Sequence, residues 1–417
     1  MKEQLINNAY SIAKERYASI GVDTDKAMDI LQNISLSMHC WQADDVTGFE
    51  SAGALTGGIQ TTGNYPGKAR NMEEVRMDIL KAMSFIPGRH RLSLHEIYGD
   101  FGGRFVDRNE VEPSHFDSWM QWAAENGIKL DFNSTSFSHP KSGNLTLASP
   151  DKGIRDFWVE HTSRCRAIAE EMGRRQDDPC IMNLWIHDGS KDITVNRMMY
   201  RELLKDSLDR IFSKEYANMK DSIESKVFGI GLESYTVGSN DFYIGYGVSR
   251  QKLVTLDTGH FHPTESVADK LSSLLLFVPE VLLHVSRPVR WDSDHVTIMN
   301  DETLDLCKEI VRCGALGRVH IGLDYFDASI NRIGAYVIGS RATQKCLLQA
   351  LLEPLPALRR YEAEEKGFER LALLEEAKSM PWNAVWDMFC MRNGVPVGDE
   401  FIAGVEEYEA EVTSKRC

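Results

Sequence analysis

Residues 253–284 read LVTLDTGHFHPTESVADKLSSLLLFVPEVLLH. An apolar run ends in Asp257. The turn after it carries His260 and His262, Pro263 marks the descent into a helical segment, and a second apolar run ends in His284. Short apolar runs bounded by turn residues suit strands buried on both faces. Strand, helix and strand in that order form the β/α/β unit of a parallel sheet. Each strand closes on a side chain able to bind a cation.

Working outward, the pattern repeats. Strand-like runs are expected at 34–39, 91–95, 128–132, 181–186, within 220–232, and at 253–257, 281–284 and 319–324. The fifth is ambiguous in register, since 221–224 and 227–230 could each pair. Helical spacing marks 3–20, 71–85, 119–126, 153–173 and 198–219, with Asn71 and Glu74 placed as a capping pair. Eight strands with intervening helices predict an α/β fold, a closed (β/α)₈ TIM barrel. The barrel with its N-terminal helix is assigned to residues 1–340. The helical C-terminal extension, 341–417, would serve packing or oligomer contacts, with helices at 344–352, 357–378, 384–391 and 406–415. Leu351, Leu352, Leu371 and Leu374 are expected to be exposed there.

In such a barrel the active site lies at the C-terminal strand ends. The polar or aromatic residues expected there are His39, His95, Asp131, Trp185, Glu224, Asp257, His284 and Asp324. Seven possible ligands come from strands five to eight and the turns after them: Glu224, Asp257, His260, His284, Asp292, Asp294 and Asp324, with Lys226 beside them. That number exceeds one closed site and suits two neighbouring cations. Carboxylate and imidazole without thiolate favour Mn²⁺, Mg²⁺ or Co²⁺ over structural zinc. Taken singly, Asp257 or Asp324 reads as a helix cap, His284 as a core histidine and Asp292–Asp294 as a turn; their convergence on one rim is what points to metal. His260-Phe261-His262 resembles the H-x-H of amidohydrolase barrels, though Asp257 with His260 is the more coherent pair. Gly229 and Gly231 do not complete a dinucleotide fingerprint.

The chain has 417 residues, a formal net charge of -15 and a pI near 5.3. An acidic balance argues against nucleic acid or an anionic membrane as partner. No apolar run of about 18 residues predicts a membrane span. Eight cysteines without a C-x-x-C pair suggest neither disulfide framework nor thiolate zinc site and fit a reducing cytoplasm. The glycine-rich stretch 44–67 is long enough to be a lid.

Paired cations with few nucleophiles suit vicinal sugar oxygens. Trp41, Phe132, Trp185 and Trp291 would cover an apolar sugar face. Lys226 could polarise a carbonyl oxygen, and the expected chemistry is aldose–ketose isomerisation. A metal-dependent hydrolase on the same barrel and a non-catalytic carbohydrate-binding protein are the alternatives.

The segments 37–42, 62–70, 259–265, 286–295 and 324–332 resemble L-rhamnose isomerases, along essentially the whole chain. Glu224-x-Lys226 and the pair Asp257 and His260 also resemble the wider xylose isomerase-like barrel superfamily. The resemblance implies a manganese-dependent, cytoplasmic homotetramer interconverting L-rhamnose and L-rhamnulose. It implies that His260, Asp292 and Asp294 hold the catalytic Mn²⁺, and that Glu224, Asp257, His284 and Asp324 hold a second divalent metal, Mn²⁺, Zn²⁺ or Mg²⁺. It places His95 near the sugar ring oxygen, Lys226 near O1 and Trp185 against the substrate, with Lys226, Asp324 and His95 as catalytic groups. A hydride shift between C2 and C1 is favoured over an enediol route, because no carboxylate is free of ligand duty to act as base.

Overall fold

The computed structural model describes residues 2–50, 61–134, 136–227, 234–290 and 292–416. Eight parallel strands close a barrel: β1 (Ser35–His39), β2 (Arg89–His95), β3 (Lys129–Ser134), β4 (Cys180–Trp185), β5 (Met219–Glu224), β6 (Leu253–Asp257), β7 (Val281–Val285) and β8 (Val319–Leu323). Each pairs with its neighbours in sequence, and β1 closes on β8 through Leu36 opposite Ile321. Every residue of β6 and β7 is buried, as expected of strands enclosed by helices on one side and the barrel interior on the other.

Side-chain caps start the helices that flank the barrel. Asn71 accepts from the Glu74 amide, Asn300 from Thr303 and Asn331 from Gly334. Helix Arg332–Leu351 is the most enclosed, packed against Asp301–Arg312, Met72–Met83 and Thr24–Asn33. The 340/341 division drawn from the sequence lies inside this helix. The N-terminal helix Lys2–Ser19 packs on Trp382–Arg392 from the far end of the chain.

Several local expectations need correction. The helix expected over 198–219 is Arg197–Ile211, because Met219 already belongs to β5, where Cys180 pairs with it. Ladder bonds along β5 outweigh local helical spacing. β5 takes the earlier of the two registers, and the later one runs into residues outside those described. Helix Thr24–Asn33 was not anticipated. The helix expected over 357–378 is two, Leu355–Ala363 and Gly367–Lys378, separated by Glu365 in the left-handed region (φ 55°). Leu352 is buried rather than exposed, Leu351 and Leu374 are half-buried, and Leu371 is exposed.

Asp131 is not at the catalytic rim. β3 runs three residues past it to Ser134. The Asp131 carboxylate instead accepts from Arg91 Nη2 (2.7 Å), Ser37 Oγ (2.7 Å) and the Ile181 amide (2.9 Å). Nearby, buried Arg166 makes a two-pronged pair with Asp221 at 2.7 and 2.8 Å. Removing one partner of such a pair strands a buried charge, at about 3–5 kcal/mol.

The described flanks of the 44–67 stretch are tied down. Arg332 pairs with Asp45 at 2.8 Å, Tyr98 donates to Asp44 at 2.6 Å, and Arg108 pairs with Glu50 at 2.9 Å. Residues 51–60, the middle of the expected lid, lie outside the described residues, as does Trp291.

Candidate metal centre

Four neighbouring strands bring the ligand candidates to one mouth. Glu224 ends β5, Asp257 ends β6, His284 sits one residue before the end of β7, and Asp324 follows β8. Parallel register sets His284 opposite both Asp257 and Gly322. Donor atoms of Glu224, Asp257, His284 and Asp324 all lie within 4.8 Å of one another. A second group, Asp257, His260 and Asp292, meets the same limit, so Asp257 belongs to both. Asp294, expected with His260 and Asp292, is not gathered into that group. It lines the same pocket from a left-handed backbone (φ 46°), a conformation that aspartate tolerates better than most residues.

The distances are those of groups aimed at a common point. His284 Nδ1 is 3.2 Å from Asp324 Oδ2, 3.3 Å from Glu224 Oε2 and 4.0 Å from Asp257 Oδ2. His260 Nδ1 is 3.3 Å from Glu224 Oε1, and His260 Nε2 is 3.0 Å from Asp292 Oδ2. Yet His260 Nδ1, His284 Nδ1 and Asp292 Oδ1 are all buried without a hydrogen-bond partner. Each such orphan costs about 1–3 kcal/mol. Three of them in one pocket fit divalent cations, and nitrogen and oxygen donors without sulfur fit a hard or borderline ion.

Charge supports the same conclusion. Five carboxylates (Glu224, Asp257, Asp292, Asp294 and Asp324) share this mouth with one ammonium, Lys226, which is 2.8 Å from Asp292 Oδ2. With His260 and His284 neutral, as ligation requires, four negative charges are left uncompensated, the charge that two dications supply. Without them, burial pushes the Asp257 and Asp294 carboxyls well above the usual range. Burial alone would discharge His260. The facing Asp257 and Asp292 carboxylates outweigh it and push the imidazole up to about 10. Lys226, opposed by burial but held by Asp292, stays charged.

Protein donors fix the carboxylates from outside. Trp41 Nε1 donates to Asp324 Oδ1 at 3.0 Å, leaving Oδ2 facing His284. The Gly259 amide donates to Asp257 Oδ1 at 2.6 Å. A Cβ on Gly259 would sit 2.6 Å from Asp292 Oδ1. Gly259→Ala is therefore expected to lower Mn²⁺ affinity about 10- to 100-fold, the usual effect of disturbing a ligand's support, with an unchanged far-ultraviolet circular dichroism spectrum. Isothermal titration with Mn²⁺ checks it.

Aromatic residues wall the pocket. Trp41, His95, Phe137, Trp185 and Phe326 line it, and the Lys226 ammonium lies 5.4 Å from the Trp185 ring centre. His95 stacks edge-on to Trp41 with ring centres 4.5 Å apart, and burial pushes its pKa down to about 3. Phe132, expected at the rim, is fully buried against Phe116 instead. It lies on the outward face of β3, and Phe137, after the strand, takes the expected place. His39 is buried behind the rim, between Trp41, Tyr325 and Tyr336. His262 is exposed, with Nδ1 on Thr264, so the H-x-H does not bring two imidazoles to the centre and the hydrolase reading loses its motif. Asn133 and Asn183 also line the pocket and were not anticipated. Two-residue alternation along the strands would have found them, since Asn183 shares a face with Trp185.

A closed barrel whose strand ends carry two abutting sets of carboxylate and imidazole donors beneath an aromatic pocket defines a class, the metal-dependent (β/α)₈ enzymes. Residues 4–416 match the family model for L-rhamnose isomerase (RhaA), and the chain belongs to that family. An L-rhamnose isomerase of Bacteroides thetaiotaomicron is 76% identical over 416 residues, covering 100% of both chains. One of Mannheimia succiniciproducens is 55% identical over 414 residues, covering 99% of each. Among solved structures, a D-allulose 3-epimerase of Methylomonas sp. superposes with a TM-score of 0.46 at 10% identity, over 77% of this chain and 97% of that one. Among the described residues no helix is long and apolar enough to cross a membrane.

Proposed function

We propose that this protein interconverts L-rhamnose and L-rhamnulose, an aldose–ketose isomerisation. The full-length identity of 76% to a relative of that name carries the reading, and the paired donor groups supply its chemistry. Incubation with Mn²⁺ and a panel of aldoses should give an equilibrium mixture of L-rhamnose and its ketose. Absence of ketose, or irreversible cleavage, would overturn the proposal.

Glu224, Asp257, His284 and Asp324 would hold one divalent cation. His260 and Asp292, with Asp257 shared and Asp294 alongside, would hold the second, the catalytic Mn²⁺. Such cations stabilise negative charge on O1 and O2 of the open-chain sugar. Lys226 would donate to O1: it stays charged in a buried site, where a hydrogen bond to developing negative charge is strongest. His95 would meet the ring oxygen as a neutral imidazole and move the proton needed for ring opening. Trp185 and Phe137 would cover the apolar face of the sugar and keep water out. Asp324 would manage the O2 proton.

Every carboxylate at the mouth has either ligand duty or a place against it, which leaves no evident base at C2. Hydrogen should therefore pass directly between C2 and C1. L-Rhamnose turned over in heavy water should yield ketose with little deuterium at C1, read by proton NMR after a single turnover. Stoichiometric deuterium there would establish an enediol route instead.

A homotetramer in the cytoplasm completes the proposal. The exposed Phe368 and Leu371 of the C-terminal extension offer apolar surface for association.

A further inference from the structure

Glu224 faces both histidines of the centre, one oxygen toward each, and a buried relay reaches it from the barrel interior. The Asn183 side-chain amide on β4 donates to Glu224 Oε2. The Asn183 carbonyl oxygen accepts from Thr255 Oγ1 of β6 at 2.7 Å. Ser222 Oγ of β5 lies 2.7 Å from the same Thr255 oxygen. A hydroxyl has one proton. Thr255 spends its own on Asn183, so Ser222 must donate to Thr255, and the direction of the whole chain is fixed.

That direction fixes the amide as well. Flipped, Asn183 would set its oxygen against the Glu224 carboxylate, a repulsive contact in place of a hydrogen bond, and would turn the Thr255 proton away to Ser222, reversing the chain. Ser222, Thr255, Asn183 and Glu224 are 0%, 1%, 2% and 2% exposed, so water does not take over for a lost partner. Each relay residue stands two positions before a residue at its strand's end: Asn183 before Trp185, Ser222 before Glu224, Thr255 before Asp257. Strand alternation thus aims all three into the barrel, Ser222 and Thr255 directly beneath the ligands Glu224 and Asp257.

We infer that Asn183, oriented by Thr255 and Ser222, is a positioning residue that holds the Glu224 carboxylate between His260 and His284 and so sets the divalent-cation affinity of the centre. The inference rests on the metal reading above. Asn183 also lines the pocket, so loss of a direct sugar contact is the rival explanation for any loss of activity. Thr255 is not among the pocket-lining residues and separates the two.

The test is Mn²⁺ binding to sugar-free protein, followed by the electron paramagnetic resonance of free Mn²⁺. Wild type, Asn183→Leu, Thr255→Val and Thr255→Ser are compared. Wild type must bind, or the metal reading itself falls. Given that, Asn183→Leu should bind about 10- to 100-fold more weakly. Thr255→Val should weaken binding in the same sense but less, and Thr255→Ser, which keeps the hydroxyl, should restore wild-type affinity. Mn²⁺ affinities within twofold of wild type for both Asn183→Leu and Thr255→Val would overturn the inference. A raised KM for sugar with unaltered metal binding would instead assign Asn183 to substrate contact. Should Asn183→Leu fail to fold, the Thr255→Val and Thr255→Ser pair still decides, because only a relay acting through orientation distinguishes them by the hydroxyl.

Discussion

Asp292→Asn should lower kcat/KM for L-rhamnose by about 10³-fold, the scale on which removing one preorganised electrostatic group slows catalysis, and leave the fold intact. Asp292 Oδ2 receives both His260 Nε2 (3.0 Å) and Lys226 Nζ (2.8 Å), while Oδ1 is buried without a partner. An amide there removes a charged ligand and offers its NH₂ where a cation would sit. Such a change usually destabilises by stranding the partner's charge. Here it relieves crowding instead, since Lys226 keeps the Asp294 and Asp257 carboxylates nearby. Steady-state kinetics with thermal unfolding of both proteins checks the pair of outcomes. A variant with more than a tenth of wild-type activity would remove Asp292 from the chemistry.

Stripping divalent cations with a chelator should reduce turnover below about 1% of the untreated level, with recovery on adding Mn²⁺. It should also lower the unfolding temperature. The apo mouth holds five carboxylates against one lysine. A cation at about 1,000 times its Kd contributes roughly 4 kcal/mol to the folded state. Acid should produce the same loss, because protons and cations compete for the same oxygens. Asp257 is pushed upward by burial, so its proton must leave as the cation enters, and binding should release protons and weaken as pH falls. Calorimetric titration in two buffers of different ionisation enthalpy measures that release. Activity that survives complete chelation would refute the proposed chemistry.

The sequence was most legible where chemistry and periodicity coincide. Apolar runs ending in Asp257, His284 and Asp324 marked both the strands and the ligands, since a parallel barrel buries its strands and presents their C-terminal ends. Where only one of those signals was present, reading was harder. Asp131 reads as a rim residue only if β3 stops at Phe132. The strand continues to Ser134, and Asp131 serves an ion pair with Arg91. Phe132 failed for the same reason, one position out of phase with the inward face. Met198 to Met219 had helical spacing, but pairing of β5 with β4 claimed its last residue. The hydrogen-bonded relay through Asn183 has no local signature: three neutral polar residues on three strands become connected only when the barrel sets them side by side. The sharing of Asp257 between two donor groups likewise depends on rim geometry that no spacing along the chain encodes.

The most direct test is anomalous diffraction from crystals grown with Mn²⁺, with data on both sides of the manganese edge. Two anomalous peaks should stand at the barrel mouth, one among Glu224, Asp257, His284 and Asp324, the other beside His260 and Asp292. A mouth without manganese, or ions bound only elsewhere on an active protein, would contradict the account.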